Sequence, residues 1–82
     1  MILVDIYAPS VNETFDFSLE ETAKVSVVID EISEMIAQKV QAGIQGDVRE
    51  FLLVSQNHRC ILSPMKTLAY YEIQTGDKLI LI

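Results

Sequence analysis

Along the chain, apolar residues recur first at every second position, then at every third or fourth, and later at every second again. Ile2, Val4 and Ile6 fall on one face of an opening strand, with Leu3, Asp5 and Tyr7 on the other, so one side is buried. Turn formers follow in Pro9-Ser10-Val11-Asn12-Glu13, and Phe15, Phe17 and Leu19 then alternate with Asp16 and Ser18. That arrangement predicts a hairpin. Past Glu20-Glu21-Thr22 the period lengthens, and Val25, Val28, Ile29, Ile32, Ile36 and Val40 lay one stripe along an amphipathic helix. Thr22 or Ser26 is placed to cap its start, and Gly43 is placed to end it. Asp30 and Glu31 lie early, where the helix dipole favours anions, and Lys39 lies late, where it favours cations.

Phe51-Leu52-Leu53-Val54 reads as a third strand, Ser55-Gln56-Asn57-His58 as a polar turn, and Cys60-Ile61-Leu62 as a short fourth strand. Pro64 disfavours helix at Ser63, so Ser63-Pro64-Met65-Lys66 is a loop, after which Thr67 can cap one helical turn through Tyr71. Ile73 is expected to pack inward. Gly76 suits a left-handed turn position before a last strand, Lys78-Leu79-Ile80-Leu81-Ile82. Strand, strand, helix, strand, strand, short helix, strand, with one long helix over one sheet face, is an α+β roll. The first and last strands are both very apolar and are expected side by side near its centre. No repeat or linker interrupts the pattern, and residues 1–82 read as a single domain.

Hydrophobic residues make up 50% of the chain and charged residues 22%, a balance that folds and does not stay disordered. The apolar runs are far shorter than the roughly 18–20 residues a bilayer crossing needs. The N-terminus has no basic stretch ahead of an apolar one, so no signal peptide is expected and the cytoplasm is the expected location. One cysteine and one histidine cannot fill a zinc or iron–sulfur site, and no metal or other cofactor is expected. Twelve acidic against six basic residues give a net charge of −6, which disfavours nucleic acid and anionic membranes as partners. His58 and Cys60, two apart, could share a strand face as base and nucleophile, but nothing supplies an orienting third group. The acidic residues Asp30, Glu31 and Glu34, with Glu20 and Glu21, could dock a basic partner, but a helix face opposite an apolar stripe is normally charged simply to be solvated, and that reading is preferred.

The segment from Thr67-Leu68 through Tyr71 and Ile73 to Leu79 and Leu81 resembles the ending of ubiquitin-like domains, where a TL..Y.I motif precedes a turn and an L.L strand. Gly43-Ile44, Asp47 and Phe51-Leu52-Leu53 are similar to the ubiquitin pattern too, so the likeness spans nearly the whole chain. It implies a ubiquitin-like β-grasp roll, a mixed sheet of four to five strands with one long helix packed on one face. It also implies that Tyr71 packs under the loop after the fourth strand, its hydroxyl bonded to backbone.

Within that superfamily, the short N-terminal start, the acidic balance, Val25…Val28-Ile29-Asp30 and the finish Gly76-Asp77-Lys78-Leu79-Ile80-Leu81-Ile82 most resemble the YukD/EsaB family. Those are cytosolic accessory components of type VII, WXG-type, secretion systems of Gram-positive bacteria. The resemblance implies a non-enzymatic interaction module whose partners are secretion-machinery proteins. A ubiquitin-like carrier activated at its C-terminus, as a sulfur carrier or modifier, is the alternative. It is disfavoured because the sequence ends at Ile82 without the Gly-Gly that an activating enzyme's narrow channel requires.

Phe51 to Val54 and Leu79 to Ile82 are apolar on both faces, although one helix covers only one. If Leu79 and Leu81 point inward, as the family motif implies, Ile80 and Ile82 point outward, joined by Leu52 and by Leu3 of the first strand. Contiguous exposed aliphatics mark a protein interface. Leu52, Ile80, Ile82 and Leu3 are therefore the expected contact residues, covered by another protein or by a second copy of the chain.

Overall fold

The hairpin and the helix follow from the change of period. In the structure, a computed structural model that describes residues 1–40 and 51–82, β1 (Ile2–Ala8) pairs antiparallel with β2 (Glu13–Leu19), placing Val4 opposite Phe17 and Ile6 opposite Phe15. Asn12 turns the chain with φ of 54°, a conformation asparagine tolerates better than most residues. β5 (Lys78–Leu81) runs parallel to β1 and antiparallel to β3 (Leu53–Ser55), which pairs antiparallel with β4 (Cys60–Leu62). The sheet order is β2-β1-β5-β3-β4, so the first and last strands do lie side by side near the centre. The third strand starts later than its apolar run suggests. Phe51 and Leu52 precede β3, yet Leu52 still exchanges backbone bonds with Ile82, its N–H donating at 2.7 Å and its carbonyl accepting at 2.9 Å.

α1 (Val25–Val40) covers one sheet face with Val25, Val28, Ile29, Ile32 and Ile36, while Asp30, Glu31 and Glu34 face water. Val4, Ile6, Phe15, Phe17, Leu19, Leu53, Leu62, Leu79 and Leu81 meet them from the sheet, and Leu68 and Ile73 close the layer. Lys39 ends the helix over the rings of Phe15 and Phe17, 5.4 and 5.5 Å from their centroids, an attraction between an ammonium and the negative ring faces.

The helix start differs from expectation. The Thr22 hydroxyl donates to the Glu20 carboxylate at 3.0 Å, and the N–H groups of Val25 and Ser26 donate to the carbonyls of Lys66 and Pro64. A loop distant in sequence thus satisfies the orphan donors that a local side chain was expected to take. Nor are Asp30 and Glu31 in the first turn, which carries no acidic residue. The expected stop at Gly43 lies outside the described residues.

The 3-10 turn over Ala69–Tyr71 has Leu68 at its N-cap with no side-chain cap there, and Thr67, expected to cap, stands one residue earlier, its Oγ1 accepting the Tyr70 N–H at 3.0 Å. The Tyr71 hydroxyl accepts the Ser63 N–H at 2.9 Å, holding the loop after β4 down on the core. Gly76 adopts φ of 95° and donates to the Leu3 carbonyl at 2.9 Å, a conformation that favours glycine and delivers the chain into β5 beside β1. Among the described residues no helix is long and apolar enough to cross a membrane.

Candidate protein-interaction surface

Strand pairing sets which side chains share the face that α1 leaves bare. Val54 is in register with Ile80 and with Ile61, and Ile80 is in register with Tyr7, which is opposite Thr14. One row therefore crosses all five strands as Thr14, Tyr7, Ile80, Val54 and Ile61. Leu79 and Leu81, the neighbours of Ile80 along β5, are 1% and 4% exposed, so the strand parity expected from the sequence holds. Ile80 itself is half-buried because Tyr7 and Val54 flank it. The row is apolar over its β5-β3-β4 half and polar at β2.

Beyond Ile80 the chain continues to Ile82, 54% exposed and paired with Leu52 by backbone bonds, so the expected residues Leu52, Ile80 and Ile82 share one end of the outward face. Leu3 does not join them. It is exposed on the same face, but it lies four residues back along β1 from Tyr7, about 13 Å away at strand rise, with Asp5 and Lys78 between. Val54 and Ile61 extend the patch and were not anticipated. The parity of Val54 was readable from Leu52, whereas Cys60-Ile61-Leu62 is too short for alternation to appear.

Among the described residues two hollows border the patch. An apolar groove of about 130 Å³ lies beside it, lined by Pro9, Ser10, Phe51, Leu81 and Ile82. A second, of about 280 Å³, opens on the polar side between Asp5, Tyr7, Thr14, Gln56, Lys78 and Leu79. Asp5 stands directly opposite Asp16 in the β1–β2 ladder. The Asp5 carboxyl is held above the usual aspartate range, first by its hydrogen bond with Asp16, then by partial burial and the Asp16 charge, against the pull of Lys78. Among the described residues the charged-group contacts within 4 Å are the α-amino group of Met1 with Glu21, at 3.2 Å, and the His58 imidazole with Asp77, at 3.7 Å, and no cationic side chain of a described residue stands that close to Asp5 or Asp16.

The pairing of His58 with Cys60 on one strand face is not formed. Arg59 between them takes φ of 55°, so His58 belongs to the turn, exposed beside Asp77, while Cys60 packs against the core. Tyr70 is exposed and edge-on to Tyr71, with the Lys66 ammonium 4.8 Å from its ring centroid. No group of three or more His, Cys, Asp or Glu among the described residues could hold a metal ion.

A five-strand mixed sheet of this order, crossed on one face by a single long helix, is the ubiquitin-like β-grasp fold. Among the solved structures that carry it are two at 18% sequence identity, each match covering 99% of this chain. The ubiquitin-like domain of the Arabidopsis thaliana protein At2g32350 superposes with a TM-score of 0.74 over 74% of its own chain. The N-terminal ubiquitin-like domain of the 4931431F19Rik protein superposes with a TM-score of 0.75 over 72% of its own. No protein-family model and no curated protein matches the sequence.

Proposed function

We propose that this chain is a non-enzymatic, ubiquitin-like interaction module that docks a partner protein on the outward sheet face, and that it serves in the cytosol as an adaptor or regulator of a type VII secretion system. The observation that carries docking is the continuity of Leu52, Val54, Ile61, Ile80 and Ile82 on a face that the helix does not cover. A monomer with no use for that surface would carry polar residues there, as it does at Thr14, Asp16 and Ser18 of β2. Support for secretion comes from the resemblance to the YukD/EsaB family. No metal cluster and no assembled His58–Cys60 pair argues for chemistry among the described residues.

The test is genetic and physical together. In a Gram-positive host with a type VII system, removing the chain should reduce WXG-type substrates in the medium. The wild-type chain should restore them, and a stably folded Ile82→Lys chain should not. Full secretion without the chain refutes the secretion role. Full restoration by Ile82→Lys, with wild-type capture of machinery proteins, refutes the face.

A further inference from the structure

The apolar patch ends abruptly at a carboxylate pair, and the two lie at a fixed spacing. Tyr7 and Ile80 are in register, and Asp5 lies two residues further along β1, about 6.6 Å at strand rise. Residues one turn apart on a helix surface stand about 5–6 Å apart, so a single helix lying on the face meets both features at once. Asp5 and Asp16 are directly opposite each other, and among the described residues Lys78 is the one cation in register with them. Two carboxylates facing one ammonium leave room for a second cation, and like charges so placed destabilise the sheet until one arrives.

Resting on the docking face proposed above, we infer that the partner presents an amphipathic helix with an aliphatic side chain for the Ile80–Val54 patch and, one turn away, a Lys or Arg for Asp5 and Asp16. A second copy of the chain is a poor occupant, because it carries the same carboxylates and a net charge of −6. A helix also fits the architecture, since it would cover the second sheet face as α1 covers the first.

The probe is a synthetic helical peptide of Ala, Leu and Lys with Leu and Lys one turn apart, titrated into the isotope-labelled chain, with a Glu-for-Lys peptide beside it. Expected are amide shifts at Tyr7, Val54, Ile80 and Asp5 with the Lys peptide, and binding roughly tenfold weaker with the Glu peptide. Asp5→Asn/Asp16→Asn should weaken the Lys peptide about tenfold, and Asp16→Asn alone severalfold, because each keeps the shape and removes the charge. Glu31→Gln/Glu34→Gln takes the same charge from the exposed face of α1 and should change nothing.

Equal losses from the two double variants would show attraction by net charge alone and overturn the inference. So would indifference to peptide charge, absence of binding, or a self-associated chain that the peptide does not open. If the shifts fall on the outward face and depend on Ile80 but not on Asp5 or Asp16, the charge inference fails and the docking face stands. If they fall elsewhere and Ile80→Lys has no effect, the docking face fails with it.

Discussion

Adjacent residues on β5 should respond oppositely to the same substitution. Leu79 is 1% exposed, in register with Ile6 and Ser55 and part of the buried core, and Leu79→Lys would bury an ammonium with no partner. Truncating such a side chain to alanine already costs about 2–5 kcal/mol, and the charge adds to that. An 82-residue domain holds about 4–12 kcal/mol in total. Leu79→Lys is therefore expected to unfold the chain. Ile80→Lys replaces a half-buried side chain whose neighbours Tyr7 and Val54 can lie along the lysine stem while the ammonium reaches water. Its cost should be about 1 kcal/mol or less, a fall in Tm of up to about 4–8 °C in a domain of this size. Circular dichroism melts of the two variants read the contrast, and capture of the partner by Ile80→Lys should be lost while its melt stays cooperative. A folded Leu79→Lys beside an unfolded Ile80→Lys would refute the strand parity on which the interaction surface rests.

Ile32→Ala should cost about 2–5 kcal/mol in denaturant melts, because Ile32 is fully buried between helix and sheet, whereas exposed Glu34→Ala should cost less than about 0.5 kcal/mol. Equal costs would refute the helix phase. The Ser33 hydroxyl is buried in α1 without a hydrogen-bond partner among the described residues, so Ser33→Ala should raise stability by about 0.5–2 kcal/mol, and a loss would reveal a partner. Asp5 has a raised folded-state pKa, so its contribution to stability is fully present below the ordinary aspartate value and is lost as pH rises through the raised one. Asp5→Asn should accordingly melt above wild type at neutral pH, with the gap closing towards about pH 4, and a gap that is constant with pH would refute the role of the Asp16 contact.

Alternation and helical spacing were enough to read the hairpin, the helix phase and the side-by-side placement of β1 and β5, because each of those is decided by which residues must leave water. The helix start was not legible. Its first N–H groups are met by the carbonyls of Pro64 and Lys66, and no local pattern near Thr22 encodes a contact made some forty residues away. Of the contact residues, Leu52, Ile80 and Ile82 followed from parity within a strand, while the separation of Leu3 needed the register between strands. Parity says which face a side chain takes; only register says how far along that face it lies. The carboxylate pair on the outward face was hidden for the same reason, since Asp5 and Asp16 are eleven positions apart in sequence and meet only through the hairpin ladder.

The outward face is graded, and the grading carries the argument for docking further than its area does. From β2 to β4 the central row changes from Thr14 through Tyr7 to Ile80, Val54 and Ile61, so the apolar half lies away from the hairpin edge. Leu52 and Ile82 extend it at one end, and Asp5, Asp16, Lys78 and Gln56 bound it at the other. A patch bounded by charge on one side fixes the direction of whatever lies on it, because reversing the occupant would place its polar end on the aliphatics and its apolar end on two carboxylates. The aliphatic half supplies burial, and the carboxylates supply orientation. Substitutions in the first half should therefore lower affinity for every partner, whereas substitutions at Asp5 and Asp16 should change which partner or which direction is accepted.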